Sequence, residues 1–246
     1  MSRFRAAGIH FIVSVLIVLS MMTLMLGLWY PGAYFKLMGG GGLLFIMAGV
    51  DVSLGPLLTL IVFKTGKKSL KLDMMIIIIM QLSALAYGTY VMFQARPVFT
   101  VFTGEGFRVS AVADMDKPDL VKANNPEWRK FPLTGPIVLG SKAPDDESLK
   151  SDIVIAGVFG GGIHQFPQYW VSYDEVKDQI KAAAKPISEL RKLNQDNTKS
   201  LDKLLEQRHL QDKDLSYLPI STQFTKMSVI LNAENAEIID IVDMHP

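Results

Sequence analysis

Asp51 is the residue whose surroundings give it the most distinctive chemistry in this chain. No other charged residue occurs between Lys36 and Lys64, and Gly55-Pro56 follows one helical turn later. An acid buried in lipid costs roughly 2.5–3.5 kcal/mol on insertion scales, and such residues are usually functional. The pattern therefore indicates membrane-protein chemistry with a specific role for one carboxyl group.

Three interpretations of Asp51 stay open. The acid can be protonated and hydrogen-bonded inside a helix bundle, to Tyr87 or to the Val52 carbonyl that Pro56 leaves free. It can contact a polar or charged group on another protein's membrane helix. It can belong to a proton or ion path, although this segment offers a lone acid without relay partners. Counting about 1.5 Å per residue places Asp51 roughly 18 Å into the membrane and His10 at its edge, so we expect these two not to pair.

The other motifs that could carry chemistry do not converge on a site. The run 39–42 is four glycines, but no strand precedes it and no Lys-Ser/Thr follows, so it predicts a flexible re-entry loop rather than a phosphate cradle. The triple glycine 160–162 beside His164 predicts a helix end and a turn. The four histidines lack metal-ligand spacing, and they are His10, His164, His209 and His245. We expect no catalytic residue, no metal and no cofactor.

Composition divides the chain into two parts. Charges are sparse over residues 6–95 and ordinary over residues 96–246, within a chain of 246 residues that is 49% hydrophobic and has a net charge of +1. This predicts a membrane domain, residues 1–96, and a periplasmic domain, residues 97–246. No basic face is interleaved with aromatics, which argues against nucleic acid as a partner. Cysteine is absent, which excludes disulfides and thiolate metal sites.

Three apolar segments are long enough to cross the lipid bilayer, at about 9–30, 43–63 and 74–93. The first is predicted to stay as an anchor, since it exceeds the apolar core of a signal peptide and Trp29-Tyr30-Pro31 stands where small residues would precede cleavage. Arg3, Arg5 and the lysines of loop 64–71 favour the cytoplasm. With three spans, the N-terminus is then cytoplasmic and the C-terminal domain periplasmic, in a multi-pass inner-membrane protein.

Small residues on the second and third spans predict a close helix contact. Depth counting puts Gly49 level with Gly88 and Ser53 level with Ala84, two pairs that would let the backbones approach. The predicted partner-binding helix faces combine these pairs with three neighbours, Asp51, Pro56 and Tyr87.

The second part of the chain reads as an α+β domain with antiparallel strands and helices on one face. Runs 98–103 and 107–112 flank Gly104-Glu105-Gly106 as a hairpin, and 227–231 with 237–242 form a second one. A further short strand is predicted at 136–140, and the aromatic run 169–173 is predicted to be a strand or a surface patch. Helices are predicted near Leu120, after 145–147 and at about 174–184, 187–194 and 198–209, with a break at 194–197.

Several ordered motifs of the first 108 residues resemble the type IV pilin accessory proteins of the TfpX/TfpZ type. They are Ala7-Gly8-Ile9-His10, Trp29-Tyr30-Pro31, Gly49-Val50-Asp51 with Leu54-Gly55-Pro56-Leu57-Leu58-Thr59, Ala84-Leu85-Ala86-Tyr87-Gly88 and Ala95-Arg96-Pro97. The resemblance implies an inner-membrane protein of a Gram-negative bacterium that assists pilin stability and pilus assembly or dynamics, with no known catalytic residues. Gly104–Arg108 departs from the Asp-Arg-Phe turn expected there, so nothing is carried over to the outer domain.

The leading hypothesis is a non-enzymatic accessory factor whose membrane helices bind the major type IV pilin while its outer domain touches the pilin head. Its stoichiometry stays open, and a homo-oligomer is possible. The alternative is a membrane-anchored sensory or regulatory protein with a ligand-binding periplasmic domain. That alternative needs a defined pocket in the outer domain and a cytoplasmic response element, for which the sequence offers only a short N-terminus and one lysine loop. An enzymatic outer domain would need convergent polar groups in a pocket.

Overall fold

The computed structural model describes residues 2–144, 146–158 and 161–246. Within these residues three helices are long and apolar enough to cross a membrane, which confirms that prediction. They are α1 (Arg3–Leu24, extended by a π turn to Trp29), α3 (Gly40–Val62) and α4 (Leu70–Ala95). Each is longer than the apolar segment predicted for it, because the helical hydrogen bonds continue into the flanking polar residues. A short helix α2 (Tyr34–Leu37) lies between α1 and α3.

The glycine run 39–42 is a turn and a helix start, and the prediction of a flexible loop was wrong. Gly39 has a φ of 68°, a left-handed conformation that glycine adopts without strain. Gly40 begins α3, and a Cβ added there would lie 2.6 Å from the ring of Phe35. Glycine therefore allows both the reversal of the chain and the close packing of α2 on the start of α3.

A π-helical turn at Val50–Leu54 interrupts α3 around Asp51. In a π turn the N–H of residue i+5 bonds the carbonyl of residue i, and the residue five positions after Asp51 is Pro56, which has no N–H. The Asp51 carbonyl accepts a hydrogen bond from Gln81 Nε2 on α4 instead, at 3.1 Å. The freed carbonyl is thus that of Asp51 and not that of Val52.

The predicted small-residue contact between α3 and α4 was wrong in its register. A Cβ on Gly49 would meet nothing within 4 Å, whereas one on Gly88 would lie 2.8 Å from Met47 Cγ and one on Gly55 would overlap Gln81. The depth count assumed a regular α-helix. The extra residue of a π turn rotates the face beyond it by about 100°, so residues on the two sides of the turn no longer align as counted.

In the described part of residues 97–246 the chain forms a curled sheet of eight strands. They are β1 (Pro97–Phe102), β2 (Phe107–Ala111), β3 (Ile137–Ser141), β4 (Trp170–Ser172), β5 (Lys185–Pro186), β6 (Leu215–Ser221), β7 (Lys226–Asn232) and β8 (Ile238–Val242). The order is β4-β3-β1-β2-β6-β7-β8, and β5 pairs with β6. The β1–β2 and β7–β8 pairs are antiparallel, which confirms both predicted hairpins.

The sheet is mixed, so the prediction of antiparallel strands alone was wrong. β1 pairs in parallel with β3, and β2 pairs in parallel with β6. Both parallel partners follow long connections, which can bring the chain back to run in the same direction, whereas a tight hairpin joins antiparallel strands. Hydrophobic alternation within a strand does not encode the direction of its neighbour.

Helices cover both faces of the sheet, against the prediction of one face. The helices are α5 (Lys117–Leu120), α6 (Glu147–Val158), α7 (Lys177–Ala183), α8 (Ile187–Leu193) and α9 (Lys199–Arg208), close to the predicted bounds. Tyr217 and Ile230 pack with α8 and α9, while Leu218 and Val229 pack with α7. Neighbouring positions on a strand point to opposite faces, so β6 and β7 are buried on both. Asp145 and Gly160, named in the predicted bounds of α6, lie outside the described residues.

Helix α2 and its flanks fix the sheet domain to the membrane helices. Tyr34 Oη and Thr100 Oγ1 are hydrogen-bonded at 2.8 Å, Thr222 Oγ1 donates to the Leu37 carbonyl at 3.1 Å, and Lys36 forms an ion pair with Asp243. Leu37 is fully buried in a core cluster that also contains residues of the sheet. The membrane helices and the sheet therefore share one apolar core at this junction.

Candidate functional site

A cavity of about 270 Å³ lies within the membrane helices, between α1 and α4. Among the described residues of α3, only Asp51 lines the cavity. The remaining lining comes from His10, Val13, Ser14 and Ile17 on α1 and from Met74, Ile78, Gln81, Leu82 and Leu85 on α4. The cavity thus has an apolar wall with four polar side chains set into it.

The rim of the cavity lies on the outer surface of the helix bundle. Four of its side chains are exposed, two from α1 and two from α4, and they are Val13, Ile17, Ile78 and Leu82. In a membrane this surface faces lipid. The cavity is therefore a groove that opens sideways into the bilayer between α1 and α4, with α3 as its floor.

The Asp51 side chain is buried, and its carboxyl group makes no hydrogen bond to the described residues. It is 5% exposed, and neither carboxyl oxygen has a hydrogen bond within the described part of the chain. Tyr87, one of its predicted partners, is 71% exposed and points away from the bundle, so that pairing was wrong. A buried polar group without a hydrogen bond is costly, so the carboxyl group has an unused capacity to bind a donor.

His10 contributes to the same groove from α1. Its Nδ1 lies 2.6 Å from Thr59 Oγ1, a hydrogen bond that joins α1 to α3. Asp51 and His10 line one cavity without a hydrogen bond to each other, whereas depth counting had separated them. The count assumed that the cytoplasmic ends of all three helices lie at the same depth. The contact with Thr59 instead places His10 level with a residue about one turn before the end of α3.

The other predicted partner-binding residues differ in their exposure. Ser53 and Tyr87 are exposed on the outer surface, and Gly49 has open space beside it. Pro56 is buried, and Gly88 packs against Met47. Ala84 is half-buried on α4. Of the predicted set, only Asp51 lines the groove.

Sequence reasoning missed Ser14 and Gln81, which also line the groove. Ser14 is 5% exposed, and Gln81 holds the Asp51 carbonyl. The signal was available, because both are polar residues inside apolar segments. Treating every polar residue of the spans as a candidate, and not only the charged one, would have found them.

His164 lies in the sheet domain, where its contacts indicate a structural role. Burial, with the nearby Arg108 guanidinium, lowers the pKa of its imidazole to about 4, so the ring is neutral at ordinary pH. Its carbonyl accepts a hydrogen bond from Trp170 Nε1 at 3.1 Å, and the Gln165 amide bonds the Gly162 carbonyl in the predicted turn. Within the described residues no group of three or more metal-binding side chains occurs.

A larger cavity, of about 650 Å³, lies in the sheet domain between the β1–β2 turn and β6. Its cationic side chains, Arg108, Lys185 and Lys226, are exposed, and the acidic Glu105 lies among them. Exposed charges of mixed sign hold a ligand weakly, because water screens them. This cavity therefore does not identify a ligand class.

The site and fold define a membrane-associated protein with three apolar helices, a groove open to lipid that contains a buried acid, and a mixed-sheet domain fixed to the helix ends. The profile of a family described as fimbrial assembly protein FimB matches residues 1–39. Two proteins of Dichelobacter nodosus, the fimbrial assembly proteins of serogroups E1 and I, are each 32% identical over 243 residues, which is 98% of this chain and 94% of each relative.

A third relative from the same organism, the fimbrial assembly protein of serogroups C1 and C2, is 38% identical over 121 residues, or 48% of this chain and 92% of that protein. No solved structure matches. The chain belongs to the fimbrial assembly protein family, which confirms the family resemblance indicated by its motifs.

Proposed function

We propose that the protein is a non-enzymatic inner-membrane accessory factor of type IV pilus assembly, which holds the apolar helix of the major pilin in the groove between α1 and α4. The observation that carries this proposal is the unpartnered carboxyl group of Asp51 in a groove that opens to lipid. Membership of the fimbrial assembly family supplies the biological setting.

Packing and hydrogen bonds would hold such a helix, because lipid chains are as apolar as leucine and provide no hydrophobic drive for association. The exposed rim residues Val13 and Ile17 on α1, with Ile78 and Leu82 on α4, offer two apolar walls for side chains of the incoming helix. Asp51 at the floor would accept from a cation or a hydrogen-bond donor of that helix. Such polar contacts in membranes contribute about 1–2 kcal/mol in model peptides.

The remaining predicted partner-binding residues lie outside the groove and would give a bound helix a second contact surface or act indirectly. Ser53 and Tyr87 are exposed and available to a bound helix, and Gly49 leaves room for one. Pro56 would act indirectly, since it shapes the π turn that carries Asp51. Ala84 and Gly88 would set the spacing of α3 and α4.

Charge distribution favours a cytoplasmic N-terminus. Arg3, Arg5 and the lysines of loop 64–71 all lie at the ends of the membrane helices opposite the sheet domain. Under the positive-inside rule those ends face the cytoplasm, and residues 97–246 form a periplasmic domain. That domain would then stand beside the head of the membrane-stored pilin.

Substitution of the acid tests the proposal. Asp51→Leu and Asp51→Asn are compared with Asp73→Asn, a matched loss of a carboxylate at the lysine-loop end of α4, where Asp73 pairs with Lys67. Co-purification of pilin from membranes and the amount of surface pili are measured at equal protein levels. We expect Asp51→Leu to lose most bound pilin and Asp73→Asn to retain it.

The Asp51→Asn variant identifies the partner group. Retained pilin would indicate a hydrogen-bond donor, because an amide oxygen still accepts, and lost pilin would indicate a cation. Wild-type pilin binding by both Asp51 variants would overturn the proposal. Recovery of a second copy of this chain in place of pilin would also overturn it and make the groove a homo-oligomer interface.

A further inference from the structure

Two loops of the sheet domain carry exposed apolar side chains next to the membrane helices. Leu133 and Phe224 are each 68% exposed. Leu133 lies in the loop between Phe131 and Gly135, and Phe224 lies in the turn between β6 and β7. Large exposed apolar residues are unremarkable when scattered, but here both occur on loops attached to the same ends of the membrane helices.

Hydrogen bonds fix the Leu133 loop at membrane level. The Gly135 amide donates to the Leu28 carbonyl at 2.8 Å, and Leu28 lies in the π turn that ends α1. Arg96 Nη2 donates to the Pro132 carbonyl at 3.4 Å, directly after the end of α4. The loop therefore bridges the domain-side ends of two membrane helices, on both sides of Leu133.

The Phe224 turn is held at the same level on another side. Thr222 Oγ1 donates to the Leu37 carbonyl at 3.1 Å and accepts from the amide of Phe224 at 3.1 Å. Phe224 also lines an apolar cavity with Leu43 of α3 and Ala95 of α4. Two residues further along α3, Phe45 is exposed on the lipid-facing surface.

A lysine lies close in sequence to the Leu133 tip. Lys130 precedes Leu133 by three residues and is exposed. An apolar side chain beside a cation suits the membrane interface, where the apolar group enters the acyl boundary and the ammonium group stays among the headgroup phosphates. Both apolar tips adjoin the lipid-facing helices, so the bilayer is the apolar phase nearest to them.

We infer that the sheet domain rests on the bilayer surface, with Leu133 and Phe224 inserted into the interface between headgroups and acyl chains. The partner is the lipid of the leaflet on the domain side. The contact continues the lipid-facing surface of α1, α3 and α4, so the domain is held on the membrane at its rim as well as by its helices. This inference does not depend on the proposed function.

Single cysteine labels test the inference cleanly, because the chain contains no cysteine. Leu133→Cys and Phe224→Cys are compared with Glu105→Cys, an exposed position in the β1–β2 turn. That turn lies at the end of β1 away from α4, about 20 Å along the strand. Each full-length variant carries the fluorophore NBD and is placed in nanodiscs of phosphatidylethanolamine and phosphatidylglycerol, with no pilin present.

We expect blue-shifted emission and strong quenching by a lipid-borne nitroxide at positions 133 and 224, and solvent-like emission with little quenching at position 105. Emission at 133 and 224 that matches position 105 would overturn the inference. Labels that become shielded only after pilin is added would overturn it too, because the occupant would then be protein. Neither result bears on pilin binding through Asp51, so the two proposals fail separately.

Discussion

The membrane helices and the sheet domain use apolar residues in opposite ways. In the sheet domain large apolar side chains form continuous buried cores, with Trp170 and Phe99 fully enclosed. On the membrane helices side chains of the same kind, such as Ile79, face outward. Burial from water contributes about 25 cal/mol per Å², but burial from lipid contributes almost nothing. Apolar packing therefore stabilises the sheet domain, whereas the few polar side chains give the membrane helices their specificity.

Truncation of one apolar side chain in each region should give the largest difference in stability. Trp170 packs against Phe99 with 4.5 Å between ring centroids and an angle of 46° between the rings, and its Nε1 donates to the His164 carbonyl. Trp170→Ala should destabilise the sheet domain by about 3–5 kcal/mol, because it leaves a cavity. Ile79→Ala, on the lipid-facing side of α4, should cost less than about 0.5 kcal/mol. Urea unfolding followed by near-UV circular dichroism in detergent measures both, and equal costs would contradict the contrast.

A second test uses the buried His164, whose pKa is lowered to about 4 by burial and by Arg108. The unfolded chain binds a proton at this site below about pH 6.5, while the folded chain stays neutral down to about pH 4. Stability conferred by the neutral ring is therefore present above pH 6.5 and falls through this window, by about 3 kcal/mol in total.

His164→Gln should remove this component of the pH dependence. The urea midpoint of the sheet domain is compared between pH 7 and pH 4.5 for the two proteins, so that contributions of the carboxylates, common to both, cancel. A variant as acid-sensitive as the parent protein would show that the imidazole titrates normally.

Glycine-to-alanine substitutions compare the two regions again, with smaller expected changes in stability. A Cβ on Gly140 of β3 would overlap the Val176 side chain inside a packed core, while one on Gly41 at the start of α3 would meet nothing within 4 Å. Gly140→Ala should cost about 1–3 kcal/mol by overpacking. Gly41→Ala should be neutral or stabilise the helix by up to about 1 kcal/mol. Thermal unfolding of the two variants checks the prediction, and a tolerated Gly140→Ala would mean that Val176 has room to move.

The smallest effect is expected at the ion pair between Lys36 and Asp243, which joins the two regions. Both side chains are about half exposed or more, at 65% and 48%, so the pair should contribute about 0.2–1 kcal/mol. A double-mutant cycle with Lys36→Met and Asp243→Asn measures the coupling, which should decrease at high salt. A coupling that salt leaves unchanged would place the pair in a less solvated setting than its exposure indicates.

Features set by local sequence could be predicted, whereas features set by long-range contacts could not. The three membrane helices and both hairpins follow from local hydrophobic patterns and turns, and these were confirmed. The parallel pairing of β1 with β3 was missed because strand direction across a long connection has no local signal. The groove was missed because the π turn changes which residues of α3 face α4. Pro56 is visible in the sequence, but its effect on the facing residues can be seen only in the folded helix. Asp51 stood out by its charge alone, while Gln81 gains its role only through contact with the Asp51 backbone.

Site-specific photo-crosslinking shows whether pilin occupies the groove. A crosslinking amino acid is placed at Leu82, on the rim of the groove, and at Ile79, which is equally lipid-exposed on α4 but does not line the groove. We expect pilin to be captured from position 82 and not from position 79. Capture at both positions alike, or at position 79 alone, would contradict it.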